Sequence, residues 1–380
     1  MQRAGVWCII KGKSGGRYYM RRDSRCWSEG IITVTNAVTV FFPLDKRLQL
    51  GEQGWTPGTV GQALRLAVEI PSYQRAAAVF RELTHLPLSK STLQRLTNAY
   101  GQQVAAQLEE EAQAMVRIPS KEEAVVWRQT PEPESAMMNV SSDGVLIRIR
   151  GEGFKEVKTV AVSAVEQVTD AQSGETRVHL THHSYRAGLW EASTFANHLW
   201  AEACRRGVEK AKRVVSVNDG AAWIWSIVFM CFAHCIQILD WYHATQRLWT
   251  IAAAYFADDQ AATTAWVETQ KALLAQNNLL QVFHNIRCLY PRRQPCPQAV
   301  TKALLYLFHN RWRMRYRTFR LAGCPIGSGV IESACKLVVQ ARMKQAGMQW
   351  SRSGAPAMLA LRSVLLSDRW SLLDAVLRPS

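Results

Sequence analysis

Three acidic residues in short motifs stand out in this sequence as groups that could carry out chemistry. Asp143 lies in Ser-Ser-Asp-Gly-Val, Asp219 in Val-Asn-Asp-Gly-Ala-Ala, and Glu332 in Gly-Ser-Gly-Val-Ile-Glu-Ser-Ala. Carboxylates are preferred ligands of hard divalent cations such as Mg²⁺. Two such ions about 4 Å apart can activate water or a 3′-hydroxyl at a phosphate and stabilise the leaving oxygen. An Asp-Gly pair alone more often marks a turn, so the prediction of a metal site depends on all three motifs together.

The chain is strongly basic, which is typical of proteins that bind a polyanion. It has 46 Lys and Arg against 30 Asp and Glu in 380 residues, a formal net charge of +16. Such an excess favours a nucleic-acid partner through phosphate contacts, and a merely basic, water-soluble protein is the alternative. Basic residues are concentrated in two stretches, 3–22 and 311–320. In the second they alternate with Trp312, Tyr316 and Phe319, which suits a nucleic-acid surface as well as a solvated helix face.

Cysteine usage and apolar runs predict a cytoplasmic protein without a membrane partner. The nine cysteines contain no Cys-x-x-Cys pair, which favours reduced thiols. Cys231, His234 and Cys235 are close enough in sequence for zinc, but their apolar setting favours buried thiols. The sequence shows no signal-peptide pattern. The long apolar stretch 221–239 is interrupted by polar residues and predicts a helix followed by a buried strand.

The first third of the chain predicts an irregular region followed by helices. Residues 1–58 are irregular, with one or two strands within 31–42. Residues 59–117 have helical spacing, including a helix over 72–83. Ser91-Thr92-Leu93-Gln94 fits a capping box that begins the next helix. This helix-turn-helix-like arrangement predicts a DNA-binding region with Lys90 and Arg95 among its DNA contacts, and an ordinary helical hairpin is the alternative.

The elements that must position the acids follow a linker at 118–135, which is rich in Pro and Glu. Strand-like stretches cover 137–142, 145–151, 155–165 and 176–185. They are followed in order by a helix over 191–210, a strand over 214–217, a helix over 221–232 and a strand over 236–239. This order favours an α/β fold of the ribonuclease H type, a mixed sheet flanked by helices. Asp143 is expected at the end of the first, central strand, Asp219 just beyond its neighbouring fourth strand, and Glu332 on a helix beside them. The predicted core spans 136–244 and 317–372, and an all-helical insertion spans 245–316.

Longer motifs add a specific resemblance. They are Val217-Asn-Asp-Gly-Ala221 with Trp223-Ile-Trp225, Gln237-Ile-Leu-Asp-Trp-Tyr-His-Ala244, Pro325-Ile-Gly-Ser-Gly-Val-Ile-Glu-Ser-Ala-Cys-Lys336 and Arg342-Met-Lys-Gln-Ala-Gly-Met-Gln-Trp-Ser351. By these motifs and by the order in which they occur, the chain resembles ISKra4-type insertion-sequence transposases, a DDE group related to Mutator-like and IS256 enzymes. The resemblance covers about residues 43–372. The resemblance implies DNA strand cleavage and strand transfer.

The resemblance also assigns roles to residues. It implies that Asp143, Asp219 and Glu332 bind Mg²⁺, with Mn²⁺ as a substitute, and that Asp240 and His243 position DNA or groups near the metal. A strand-to-helix cap is the alternative for that pair. Expected DNA contacts in the second half are Arg313, Arg317, Lys336, Arg342 and Lys344. Lys336 equally suits an ion pair with Glu332, four residues away on the same helix face. The expected partners are double-stranded transposon-end and target DNA and further copies of the chain, and the expected location is the bacterial nucleoid.

The N-terminal region departs from the family pattern. Pro43-Leu44-Asp45 is present, but no cysteine-paired ribbon precedes it, and Cys8 and Cys26 do not have a zinc-site spacing. The region is therefore expected to be truncated, divergent or out of frame. This leaves a second hypothesis, an inactive transposase relic that binds DNA without transposing. A nuclease without strand transfer is a third, against which the long insertion and the Asp240-x-x-His243 motif argue.

Overall fold

The computed structural model describes residues 7–11, 18–22, 55–117, 130–169, 172, 176–291 and 295–378. The chain divides into two compact units, Met1–Thr56 and Pro57–Ser380, which we describe separately. In the first unit, β1 (Trp7–Lys11) pairs antiparallel with β2 (Tyr18–Arg22), a hairpin within the region expected to be irregular. The strands predicted within 31–42, the Pro43-Leu44-Asp45 segment and most of the predicted linker lie outside the described residues.

The second unit begins with three helices, α1 (Pro57–Glu69), α2 (Tyr73–Thr84) and α3 (Lys90–Val116). In α1, Val60, Leu64 and Ala67 are buried at helical spacing, which confirms the predicted amphipathic pattern. Ser72 caps α2 by accepting a hydrogen bond from the Arg75 backbone N–H at 3.1 Å, close to the predicted helix start.

The start of α3 differs from the prediction. Ser89, two residues earlier than Ser91, is the N-cap, and its hydroxyl accepts the Thr92 backbone N–H at 3.0 Å. The predicted capping box at Ser91–Gln94 is therefore wrong. Both serines have the right chemistry, but Ser89 has the extended backbone that a cap needs, and Ser91 already lies in the first helical turn.

A mixed five-stranded sheet forms the centre of the second unit, with β3 (Met137–Ile149), β4 (Gly153–Thr169), β5 (Thr176–Gly188), β6 (Arg213–Asn218) and β7 (Ile236–Leu239). The strand order is β5-β4-β3-β6-β7. The β3–β4 and β4–β5 pairs are antiparallel, and the β3–β6 and β6–β7 pairs are parallel. The chain is thus an α/β protein, as predicted.

Strand β3 is longer than expected and changes the position of Asp143. The predicted break after Ser142 is absent, because pairing with β4 continues through Asp143, opposite Thr159, and Gly144, opposite Lys158. Asp143 therefore lies in the middle of β3 and not at its end. The cross-strand ladder outweighs the turn preference of the Asp-Gly pair.

Helices pack against the sheet around two hydrophobic clusters. The first cluster joins β3 and β4 to α4 (Ala192–Arg205) and α5 (Ala222–Cys231), with Val140, Val162, Phe195 and Leu199 buried in it. The second joins β6 and β7 to a helical block. This block contains α6 (Trp241–Phe256), α7 (Gln260–Ala275), α8 (Leu279–Leu289) and α9 (Gln298–His309). No described helix is long and apolar enough to span a membrane.

The chain then returns to the sheet through short helices. These are α10 (Tyr316–Leu321), α11 (Gly329–Ala334), a π-helix (Cys335–Gln340), α12 (Ala341–Met343), α13 (Gly354–Leu366) and α14 (Ser371–Leu377). Helix α13 packs closely on α3, where a Cβ at Gly101 would meet the Ala357 backbone oxygen at 2.6 Å. A glycine at this crossing lets the two helix backbones approach.

Candidate functional site

Asp143 projects from the middle of β3 and is half-buried. Its Oδ1 accepts the Gly144 backbone N–H at 2.7 Å, and its Oδ2 accepts the Cys335 thiol at 3.4 Å. Burial raises the pKa of this carboxyl, and the nearby charge of Asp219 raises it further, against the two hydrogen bonds, which lower it. Asp143 is therefore a carboxylate whose ionisation a bound cation would favour.

Asp219 follows the last residue of β6, the parallel neighbour of β3. Its Oδ1 accepts the Ala221 backbone N–H at 2.9 Å, and Gly220 turns the chain away with a φ of 90°. Tyr306, on α9, donates its phenol hydrogen to the main-chain oxygen of Asp219. A Cβ at Gly220 would meet that phenol oxygen at 2.6 Å, so both the positive φ and the close approach require glycine.

The strands that present these two acids are tied together by side chains. The Asn218 Oδ1 accepts the Ser142 backbone N–H at 2.7 Å, and the Ser216 hydroxyl donates to the Val140 backbone oxygen at 2.7 Å. Both contacts are buried, where an unpaired polar group is costly. They hold the end of β6 beside the middle of β3, and thus Asp219 near Asp143.

Asp240 and His243 lie at the start of α6, just after β7. Asp240 caps the helix by accepting the His243 backbone N–H at 2.7 Å, and the same Oδ1 lies 2.9 Å from His243 Nδ1. Its Oδ2 accepts the Ser328 backbone N–H at 2.6 Å. Burial opposes ionisation of Asp240, but the hydrogen bonds from His243 and Ser328 outweigh it and lower its pKa.

The pKa of His243 shifts in the opposite direction, upwards. The hydrogen bond to Asp240 raises the pKa of the imidazole, burial lowers it, and the charges of Asp240, Asp219 and Glu332 raise it. Because the ionised Asp240 carboxylate only accepts, Nδ1 carries the proton and Nε2 is the free ring nitrogen. The pair therefore acts both as a helix cap and as an oriented histidine beside the acids.

Glu332 lies on α11, and its Oε1 accepts the Ser328 hydroxyl at 3.2 Å. The π-helix begins three residues later, a distortion that is frequent at functional sites. Ligand atoms of Asp240, His243 and Glu332 lie within 4.8 Å of one another. Among the described residues this is the tightest group of metal-ligating side chains, and neither Asp143 nor Asp219 belongs to it.

The three predicted acids share one electrostatic feature. Within the described part of the chain, no lysine or arginine forms a salt bridge with Asp143, Asp219 or Glu332. The charge of Asp219 acts on both Asp143 and His243, and that of Glu332 acts on His243. Negative charge is thus concentrated beside β3 and the end of β6, a region that we call the acidic edge, and His243 is the nearby group whose raised pKa favours a positive charge, although the chain has a net charge of +16.

The predicted DNA contacts are scattered over the second unit. Lys90, Arg95, Arg317, Lys336 and Lys344 have exposed side chains. Arg313 is half-buried and stacks 4.3 Å above the Trp225 ring. Lys336 lies one turn after Glu332, at the start of the π-helix, and no ion pair joins the two among the described contacts.

Arg342 has a structural environment that its prediction as a DNA contact did not anticipate. It is 1% exposed, its Nε donates to the Ala67 backbone oxygen at 2.9 Å, and its guanidinium lies 4.6 Å from the Tyr73 ring centre. Burial lowers its pKa. The side chain therefore joins α12 to α1 and α2 inside the fold and does not present its charge to an external phosphate.

Sequence reasoning missed Tyr306, Ser328 and Cys335, which contact Asp219, Asp240 and Asp143 respectively. Ser328 and Cys335 lie inside the Gly-Ser-Gly-Val-Ile-Glu-Ser-Ala-Cys motif, so their proximity to Glu332 was a usable signal. Tyr306 lies 87 residues after Asp219 in a helix without a motif, and no sequence signal singles it out. Comparison of the chain with protein-family models and with curated proteins gives no match.

Proposed function

We propose that this protein is a Mg²⁺-dependent DNA transposase that cleaves and joins DNA strands, similar to ISKra4-type enzymes. The observation that carries the proposal is that Asp143 and Asp219 lie on neighbouring strands close enough for one charge to act on the other, that Glu332 lies with Asp240 and His243 next to them, and that no described lysine or arginine forms a salt bridge with the three acids. A divalent ion would neutralise this charge and bring an anionic DNA phosphate to it.

The sheet order supports a ribonuclease H-like assignment. Its first three strands are antiparallel neighbours, and the fourth strand lies parallel to the first and carries an acid just beyond its end. A helical block separates Asp219 from the helix with Glu332, as expected for an insertion of the transposase type. Fold alone does not specify chemistry, so the acids remain the basis of the proposal.

The donor set fits magnesium. Asp143, Asp219 and Glu332 supply hard oxygen ligands. Asp219 and Glu332 each use one carboxylate oxygen in the described hydrogen bonds and keep the other for a metal, whereas both oxygens of Asp143 and both of Asp240 already accept hydrogen bonds. When bound, magnesium would supply activation of water or a 3′-hydroxyl and stabilise the leaving oxygen. Asp240 would hold the His243 ring with Nε2 towards the reacting phosphate. The raised pKa of the His243 imidazole favours its cationic form, which would attract that phosphate.

The test is a cleavage assay on DNA that the element itself would use. Labelled duplexes covering both flanks of the gene that encodes this chain are incubated with the full-length protein and Mg²⁺, Mn²⁺ or EDTA. We expect metal-dependent nicking at a defined position, followed by joining to a plasmid target. Asp219→Asn should abolish both steps. The matched control is Asp258→Asn, an exposed acid in the α6–α7 turn, which should leave both steps unchanged.

A DNA-binding relic is the second candidate. It is favoured by the fact that the tightest ligand group excludes Asp143 and Asp219. The same assay separates the two hypotheses, because a relic would retard the labelled duplexes in a gel with no cleavage in either metal. Nicking that persists in Asp219→Asn would also contradict the proposed enzyme.

A further inference from the structure

A second site lies at the opposite end of β7 from Asp240. It is a cleft of about 600 Å³, lined by Cys235, Ile236 and Gln237 at the start of β7 and by residues of 309–319. Because β7 is four residues long, its first and last residues are on the order of 10 Å apart. The cleft is therefore separate from the acidic site, although both belong to the same strand.

The lining combines aromatic and guanidinium groups. Trp312 is 64% exposed, although a large aromatic side chain is usually covered. The guanidinium carbons of Arg311 and Arg315 lie 5.3 and 5.2 Å from its ring centre. Arg311 also lies 4.3 Å from the ring of Phe308, which is 50% exposed. The cleft thus presents a largely exposed indole ring with two arginines close to it.

These arginines have no internal counter-charge. In the described part of the chain, no carboxylate forms a salt bridge with Arg311, Arg313 or Arg315, and the cleft lining contains neither Asp nor Glu. Arg313 is held in place, because its Nε donates to Gln237 Oε1 at 2.8 Å and its Nη1 to Asn310 Oδ1 at 3.2 Å. These contacts attach the segment that carries Arg311 and Arg315 to β7.

We propose that this cleft binds an unstacked nucleotide of single-stranded DNA, with the base stacked on Trp312 and the adjoining phosphates on Arg311 and Arg315. A duplex would use the arginines but hides the faces of its bases, whereas an unpaired base exposes a π-face that can stack on the exposed part of the indole ring. The volume is that of a small-molecule pocket and holds one nucleotide. The proposal does not depend on the acidic site or on its metal.

The test measures binding in EDTA, so that catalysis has no part in it. Anisotropy of a labelled ten-nucleotide oligothymidylate is followed with the full-length protein. Trp312→Ala should weaken binding by about tenfold or more, as stacking of one base on an aromatic ring predicts, while Trp312→Phe keeps part of the affinity. The matched control is Phe154→Ala, which removes an exposed aromatic ring (67%) from the start of β4 and should have no effect.

Salt dependence tests the phosphate contacts separately. Arg315→Gln should lower the slope of log affinity against log salt by about 0.7, the value for one phosphate of a single strand. The control Arg378→Gln, at an exposed position near the C-terminus, should leave the slope unchanged. Thymidine monophosphate is then added as a competitor of the labelled oligothymidylate. Displacement by this free nucleotide would support recognition of a base together with its phosphate.

Three outcomes would overturn the proposal. They are unchanged affinity of Trp312→Ala, equal competition by a duplex of the same length, and equal competition by a polyglutamate peptide. The last would assign the cleft to general polyanion binding. A failure of cleavage at the acidic site leaves these binding results unaffected, and a failure here leaves the proposed transposase chemistry untouched.

Discussion

The acidic edge of the sheet and the buried charges around Arg186 handle ionised side chains in opposite ways. Arg186, on β5, is 2% exposed and donates to Glu202 on α4 at 2.9 Å and to the Leu108 backbone oxygen at 3.1 Å, and it also pairs with Glu111 on α3. Arg205 also pairs with Glu202. At the acidic edge, Asp143, Asp219 and Glu332 are without such partners in the described structure.

The difference separates structural charges from charges available to a ligand. Around Arg186 each buried charge is compensated within the chain, so the network joins α3, β5 and α4 and leaves no net demand for an external ion. Arg369, from the C-terminal segment, adds a further cation on Glu111. At the acidic edge, no described lysine or arginine compensates the three acids.

Glu332→Gln should reduce metal-dependent nicking by more than about 100-fold, beyond the usual effect of removing a group that only supports a metal ligand. The free energy of unfolding should stay the same or rise, because one member of a like-charged group is neutralised. Nicking assays and urea unfolding measure the two quantities. A large loss of stability would place Glu332 among the structural charges and contradict the contrast.

Glu202→Gln should have the reverse profile. It leaves Arg186 and Arg205 without their buried anion, and breaking a buried pair in this way costs about 3–5 kcal/mol of unfolding free energy. Metal-dependent nicking per folded molecule should not change. Glu268→Gln, which breaks the exposed pair with Lys271, is the control and should cost at most about 1 kcal/mol. Equal costs for the two variants would show that the Arg186 network does not carry stability.

Acid should weaken the Arg186 region through His198. Burial and the charge of Arg186 lower the pKa of His198 from 6.5 to about 4, against the effect of Glu109, whose carboxylate lies 2.8 Å from Nε2. The unfolded chain therefore binds more protons between these values, and stability falls as the pH drops from 6.5 towards 4. The slope is at most about 1.4 kcal/mol per pH unit for one group.

Urea unfolding at pH 7, 6 and 5 measures that slope, and His198→Gln should reduce it. The comparison with the acidic edge gives a further check, because His243 has a raised pKa and contributes stability that is complete below pH 6.5 and is lost as the pH rises through its folded pKa. His243→Gln should therefore change the profile above neutral pH, where the same unfolding measurement is extended to pH 8 and 9. If His198→Gln and His243→Gln changed the pH dependence of stability in the same way, the two histidines would not have the opposite roles proposed for them.

Tyr306→Phe should produce the smallest effect. It removes the hydrogen bond on the Asp219 main-chain oxygen and should cost about 1 kcal/mol in stability. If the phenol positions Asp219, the loss should fall on the rate of nicking at saturating DNA, with DNA affinity unchanged. Tyr255→Phe, at a half-exposed tyrosine on α6 (49%), is the control. Equal losses of nicking rate in Tyr306→Phe and Tyr255→Phe would show that Tyr306 does not position Asp219.

Much of the fold could be predicted from local patterns. Helical spacing predicted α1 and α2, and strand patterns with interposed helices predicted the α/β class and the place of Asp219 after β6. The wrong predictions came from short sequence signals that are compatible with two different local structures. Ser89 and Ser91 could each cap α3, and the Asp143-Gly144 pair could end a strand or continue it. Long-range pairing with β4 decided the second case.

The candidate site was predictable only in part, because its contacts join distant segments. The motifs pointed to Asp143, Asp219, Glu332, Asp240 and His243 as chemical groups. Residue type and spacing alone determined these candidates, the strongly basic character and the order of the elements. The tertiary structure alone decided that Tyr306 reaches Asp219, that Arg342 is buried while Arg315 is exposed, and that Trp312 lines a cleft. The physical reason is that burial and the pairing of charges depend on which helices pack together, and this is a property of the whole chain.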